Sequence, residues 1–439
     1  MEDFESNIYP SLPEEDACRH ISVNNIYSIK YKLKMQSAAF NLLLLLISFT
    51  AIAIPSITSA TTIGVTYSNP ASTYSSIPIL PEKIASKVVA MNFQAVRLLD
   101  SNPEMIRAFA DTNVAILLSI PNPMIPVLAS NLSLASLWVY HNVFVFYPRT
   151  KISVISVGDD VISSYSSPDD PPLFLLRAMQ NVQKSLENLG IFKISVSTTF
   201  SFSSIIPNAF PPSSAKFEQG NGEAIIRPIL RFLERTNSSF IIKIDPYEMY
   251  RSRSSTTIGF AIFESSSFNF REDLTTGVKY HNLFDMMVDA VISSMAVMGH
   301  ENLPVIVAET GWPSTGGIGA TPYYSWRFLR SLIGHLRRGS GTPLRKGGPL
   351  EVYIFELVDK YDPEQLGTRR NWGLLDHSLK DKYQHLGLKD SETIFAILLA
   401  LLTVGCPLAS LMNASHKLIG WYIRRNDPPR PIRRNVRRN

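Results

Sequence analysis

An α/β fold, the (β/α)8 barrel of the TIM type, is what this 439-residue sequence predicts, and three observations carry the prediction. Eight short runs rich in β-branched and apolar residues recur along the middle of the chain, at 63–67, 95–100, 114–121, 152–160, 193–200, 240–247, 304–312 and 351–359. Helix-like segments separate them at 81–92, 103–111, 132–145, 172–189, 223–236, 282–298 and 322–338. Strands that alternate with helices form parallel sheets buried on both faces, and eight such units close into a barrel. Third, acidic and aromatic residues gather where the strands end, at Tyr67, Asp100, Asp159, Asp160, Asp245, Tyr247, Glu309, Trp312 and Asp359. That rim is where the chemistry of such barrels collects.

Taken in chain order, the first 34 residues form a polar leader that no fold argument needs. An apolar run at 42–54 follows Lys30, Lys32 and Lys34 and precedes Thr58-Ser59-Ala60. Basic region, apolar core and small-residue cleavage site stand in secretory-signal order, so 35–60 is read as a signal peptide with Met35 as an ordinary start. The barrel is assigned to 61–388. Helices that open on Pro81, Pro103, Pro172 and Pro322 use a residue whose missing amide donor would be unpaired there anyway. Within 282–298, Leu283, Met287, Val291 and Met295 repeat at helical spacing and Gly299 is a stop signal, which marks these methionines as core. The stretches 202–219, with Pro207, Pro211 and Pro212, and 339–349 lack periodicity and read as surface connections.

Beyond the barrel, 393–412 is nearly free of charge and close to spanning length, and seven arginines follow between Arg424 and Arg438. This pattern predicts a transmembrane helix with a basic tail, ranked above a lipid anchor because an anchor signal would end in its apolar stretch. The seven arginines against Asp427 make the tail +6, which leaves −1 for the rest of a chain whose total is +5. Nothing in a nearly neutral remainder points to a nucleic-acid surface, and the tail suits anionic lipid heads. Cys18 and Cys406 are the two cysteines, so the barrel has no disulfide and relies on its core. Asn131-Leu132-Ser133 and Asn237-Ser238-Ser239 are glycan acceptors in an exported chain. His281, His300, His335 and His377 lack metal-ligand spacing and read as surface or capping residues.

The run Val305-Ile306-Val307-Ala308 reads as a strand buried on both faces, and Gly311 and Pro313 break it just after Glu309. An unpaired carboxylate inside such a strand is costly, which places Glu309 at the mouth beside Trp312 as a flat apolar surface. Glu309 ends the seventh strand and Asp160 the fourth, on opposite walls of the mouth. Two carboxyl groups about 5 Å apart across a glycosidic bond would make a retaining hydrolase.

Glu309-Thr310-Gly311-Trp312-Pro313-Ser314 resembles the nucleophile segment of glycoside hydrolase family 17, the plant endo-1,3-β-glucanases and their relatives. Val96-Arg97-Leu98, Asn102-Pro103-Glu104, Pro211-Pro212-Ser213-Ser214, Asn282-Leu283-Phe284-Asp285, Gly341-Thr342-Pro343-Leu344-Arg345 and Asn371-Trp372-Gly373-Leu374 also look like family segments, in family order. The resemblance implies a barrel that hydrolyses β-1,3-glucan with retention and without metal or cofactor. It implies Glu309 as nucleophile, Asp160 as candidate acid/base, and Tyr67, Asp159, Tyr247 and Trp312 at the sugar, in a monomer displayed at the plasma membrane or cell wall. Departures accompany it. Val157-Gly158-Asp159-Asp160 stands where the family has Val-Gly-Asn-Glu, so the acid is one methylene shorter, and misplacement of about 1 Å can cost on the order of 10²-fold. Asp245-Pro246-Tyr247-Glu248 replaces Tyr-Pro-Tyr-Phe, and Lys360 replaces an acid near the eighth strand, where it can pair with a neighbouring carboxylate. The alternative reading is a catalytically inactive, membrane-anchored glucan-binding protein.

Overall fold

The computed structural model describes residues 61–68, 79–164, 171–220, 222–253, 255–264, 266–360 and 371–388. All belong to the unit Ala60–Asn439, and the unit Met1–Ser59 has no described residue. The signal peptide expected at 35–60, the transmembrane helix expected at 393–412 and the basic tail therefore lie outside the described residues. Among the described residues no helix is long and apolar enough to cross a membrane.

The strands are β1 (Thr62–Tyr67), β2 (Ala95–Leu98), β3 (Ala115–Ile120), β4 (Ile152–Asp159), β5 (Ser195–Ser201), β6 (Phe240–Lys243), β7 (Arg271–Asp273), β8 (Val278–Tyr280), β9 (Val305–Thr310) and β10 (Glu351–Ile354). Eight of them close a parallel barrel in the order β1-β10-β9-β6-β5-β4-β3-β2, so the predicted fold class holds. β7 and β8 pair as a small antiparallel hairpin outside it. With Arg271 and Glu272 both exposed, that hairpin has no apolar alternation to read in sequence.

Among the helices are α1 (Pro81–Ala90), α2 (Pro103–Ala108), α3 (Leu132–Asn142), α4 (Pro171–Asn188), α5 (Arg227–Arg235), α6 (Pro246–Ser252), α7 (Leu283–Val297) and α8 (Pro322–Arg338). Their starts follow capping chemistry: Asn102 accepts from the Glu104 amide, Asn282 from that of Asp285 and Thr321 from that of Tyr324. The sixth strand stops at Lys243, short of the expected 247, because Asp245 caps α6 and accepts from the Glu248 amide at 3.0 Å. The core has two layers. Ala95, Ala115, Leu117, Val154, Ile241, Ile306, Ala308 and Tyr353 fill the barrel interior. Residues of the opposite parity, such as Val96, Ile116, Ile155, Ile242 and Val307, join the cluster outside the sheet.

Two surface expectations are corrected. The stretch 202–219 buries Phe202, Ile205, Ala209 and Phe217, because its prolines bend the chain back onto the barrel. His300 and His335 are packed groups: His300 lies 3.1 Å from Glu234, and His335 lies 2.9 Å from Asp285.

Candidate active site

Strand alternation alone would not assemble the site. Ile306 and Ala308 face inward, so a regular strand would turn Glu309 outward. A one-residue slip between β6 and β9 intervenes: Ile242 pairs with Val307, yet Lys243 pairs with Glu309. Lys243 continues the inward parity of Ile241, and Glu309 therefore turns into the mouth beside it. The same device acts across the barrel, where Ser156 pairs with Ser197 but Asp159 pairs with Thr199. Irregularities at barrel rims re-aim side chains in this way. Gly158 absorbs the slip at φ 78°. Asn122 secures it, accepting from the Asp159 amide at 2.8 Å and donating to the Asp159 carbonyl at 2.9 Å.

A chain of charges links the two turned-in acids. Arg97, inside the barrel and 0% exposed, donates through Nη1 to Glu309 Oε1 and through Nη2 to Asp159 Oδ2 at 3.2 Å. Lys243 Nζ reaches Asp159 Oδ1 at 2.9 Å. Burial pushes the Asp159 carboxyl up, but Arg97 and Lys243 outweigh it and hold the group below the usual carboxylate range. Asp159 is thus an acceptor for two cations. Lys243 in turn is raised against its own burial by Glu309 and Asp159.

Asp160 follows in the left-handed region at φ 49° and donates its amide to the Thr199 carbonyl at 2.9 Å. Regular alternation from Val154 and Ser156 would have pointed Asp160 inward. After the slip it is Asp159 that Arg97 joins to Glu309.

The aromatic expectations are corrected. Trp312 is 1% exposed and Tyr247 is 1% exposed, so neither offers an open ring face. They meet edge to face at 5.1 Å, and Trp312 Nε1 donates to the Gly319 carbonyl at 2.9 Å. Tyr247 in turn meets Trp372 edge to face at 5.9 Å. Tyr67 is buried as well, and burial, with Asp100, pushes its hydroxyl up to about 12. A cleft of about 450 Å³ opens between β5, β6 and β9, lined by Ser201, Ser203, Lys243, Asp245, Glu309 and Trp372. Trp372 is the indole at this cleft.

A second group of charges lies beside β1. Glu356, 1% exposed, accepts from Ser68 Oγ at 2.7 Å and has Lys360 Nζ at 3.7 Å. Burial pushes its carboxyl up to about 7, partly offset by Lys360. The pairing foreseen for Lys360 is present. Asp359 holds Lys382 Nζ at 2.7 Å and accepts from the Gly373 amide.

Residues 63–386 match the sequence profile described as Glycosyl hydrolases family 17. The chain belongs to that family. It is 38% identical over 320 residues to glucan endo-1,3-beta-glucosidase 7 of Arabidopsis thaliana, covering 71% of this chain and 62% of that protein. Glucan endo-1,3-beta-glucosidase 12 of the same plant is 33% identical, over 72% of this chain and 58% of its own length. The chain thus spans about three fifths of the length of these curated relatives. Among solved structures, CJP38, a beta-1,3-glucanase and allergen of Cryptomeria japonica pollen, superposes with a TM-score of 0.68 at 31% identity, covering 74% of this chain and 98% of that one. A plant beta-glucan endohydrolase superposes with a TM-score of 0.65 at 29% identity, covering 73% and 99%.

Family 17 membership agrees with the quoted motifs, yet three groups at the mouth had not been singled out for the site: Arg97, Lys243 and Glu356. All three carried a signal. Each is a charged residue set inside an apolar strand run, as in Ala95-Val96-Arg97-Leu98 and Ile241-Ile242-Lys243-Ile244, and a charge there needs a partner. A larger groove lies elsewhere among the described residues, about 1300 Å³ on the outside of the barrel, and it includes Phe263, Asp285, Trp326 and His335 and none of the strand-end acids discussed above.

Proposed function

We propose that the barrel hydrolyses β-1,3-linked glucan by a retaining, two-carboxylate mechanism with Glu309 as nucleophile. The observation that supports this most is the Arg97–Glu309 contact at the cleft, in which a fully buried guanidinium pins one carboxylate oxygen. The other oxygen, Oε2, attacks the anomeric carbon, and water later hydrolyses the glycosyl ester. An acid must protonate the leaving oxygen, then accept a proton from that water. Asp160 holds the chain position that the family resemblance gives to this acid, with its carboxyl drawn back by one methylene.

The named relatives support β-1,3-glucan as substrate, and a cleft that sets Lys243, Asp245 and Glu309 beside the apolar faces of Phe355 and Trp372 suits a sugar. The segments 35–60 and 393–412 support export and tethering, with the barrel outside the cell. Deleting 389–439 should move the protein from the membrane fraction to the soluble one, and a truncated chain that stays with membranes refutes tethering.

The nucleophile is tested with a 2-deoxy-2-fluoro laminaribiosyl dinitrophenolate glycoside, whose leaving group needs no proton. Mass spectrometry of a peptic digest should find one added fluorosugar on Glu309, and none after Glu309→Gln. Label elsewhere, or no label, rejects the mechanism. A parent that binds glucan in a pull-down without labelling is the glucan-binding alternative, which the double tie on Asp159 and the shortened Asp160 favour.

A further inference from the structure

We propose that Asp245, at the end of the sixth barrel strand, is the group that protonates the leaving oxygen in this cleft. The inference rests on the retaining hydrolysis proposed above and names its missing proton source.

Position comes first. Lys243 pairs directly with Glu309 across β6 and β9, and the Ile244 amide donates to the Glu309 carbonyl at 2.9 Å. Asp245 stands two residues beyond Lys243, hence on the same face of the chain, and it lines the same 450 Å³ cleft as Glu309. With strands about 4.8 Å apart and a rise of about 3.3 Å per residue, the two Cα atoms lie on the order of 8 Å apart. Side chains that converge on one cavity from that spacing can reach the roughly 5 Å that a retaining pair requires. Of the other acids near Glu309, Asp159 is occupied by Arg97 and Lys243, and Glu356, whose carboxyl also feels the Glu309 charge, is 1% exposed, bonded to Ser68 and faced by Lys360.

The carboxyl is also held in a defined orientation. Oδ1 accepts the Glu248 amide at 3.0 Å as the cap of α6, which fixes how the carboxyl is turned. Burial pushes this carboxyl up to about 7, and the charges of Glu248 on α6 and Glu309 on β9 push the same way, while the Glu248 and Tyr247 amides oppose them. Lys243 on the preceding strand lines the same cleft, and Ser201 and Ser203 bring no charge. An acid that keeps its proton up to about pH 7, beside a pinned carboxylate, is the division of labour this chemistry needs.

The step balances. Glu309 Oε2 forms the bond to the anomeric carbon as the bond to the leaving oxygen breaks, its electron pair staying on that oxygen, which takes the Asp245 proton. Asp245, now a carboxylate, removes a proton from water, the hydroxide oxygen bonds to the anomeric carbon, and the Glu309 ester breaks.

Asp245→Asn tests this without removing the helix cap, since asparagine keeps the accepting oxygen. Turnover of β-1,3-glucan should fall by about 10²-fold or more, and the parent's loss of kcat/KM above about pH 7 should disappear. On the dinitrophenyl laminaribioside kcat/KM of the same variant should fall less than about tenfold, because that leaving group departs unprotonated, while kcat falls with the slowed hydrolysis of the Glu309 ester. Equal losses of kcat/KM on both substrates, an alkaline limb that persists, or a steeper leaving-group contrast in Asp160→Asn would overturn the assignment. So would a parent that labels Glu309 yet leaves glucan uncut, while failure to label Glu309 at all would remove the hydrolytic reading itself.

Discussion

Arg97 is the residue on which the mouth of the barrel depends. Its guanidinium is wholly buried and answers Glu309 and Asp159 at once, so its removal takes the ion pair from Glu309 and leaves Asp159 with Lys243 alone. Breaking a buried ion pair by deleting one partner costs about 3–5 kcal/mol. Arg97→Gln should therefore unfold at correspondingly lower urea in an equilibrium titration. An Arg97→Gln midpoint equal to the parent's would mean that the pairs contribute nothing. Asp289 is a different kind of residue. It is 0% exposed, accepts the Leu344 amide at 3.0 Å, and burial pushes it up to about 6. It pins the 339–349 connection to α7.

At the scale of elements, the decisive features are the irregular strand ends. β9 gives way after Thr310 to Gly311, where a Cβ would meet the Phe355 carbonyl oxygen at 2.2 Å. Neither backbone can yield, because the Phe355 amide donates to the Thr310 carbonyl at 2.8 Å. Gly311→Ala should cost about 1–3 kcal/mol as an overpacking change and displace Glu309, lowering turnover as well as the melting temperature. A variant with parental melting and turnover would show that the two strand ends move freely. Boundaries of this kind were the least legible part of the sequence. Asp245-Pro246 reads equally as strand or helix start until α6 is seen to need a cap, and the β7–β8 hairpin left no pattern at all.

For the whole molecule, the buried acids set a pH dependence. Asp245, Asp289 and Glu356 are raised to about 7, 6 and 7. Each is raised above its unfolded value near 4, so the unfolded chain releases these protons first and rising pH favours unfolding. Their contribution to stability is complete below about pH 4 and is lost as pH climbs through 6 to 7. Melting temperature should fall from pH 5 to pH 8, and less so in Asp289→Asn. Calorimetry that finds the variant and parent falling in parallel would reject Asp289 as one of the groups responsible.

Much of this architecture was legible from one-dimensional pattern. The eight apolar runs and the helices between them determined a closed parallel barrel, since strands buried on both faces have no other economical partner than helices outside and each other inside. The acid at Glu309, its turn and the family motifs were equally plain. Which carboxylates meet was decided only in three dimensions. One-residue slips at β4–β5 and β6–β9 turn Asp159 and Glu309 inward, and no local pattern encodes a slip that depends on the register of a neighbouring strand. Burial did the rest. The distance along the chain between Arg97, Lys243 and Glu309 says nothing of their contact, and it is the exclusion of water inside the closed barrel that makes one cation answer two acids.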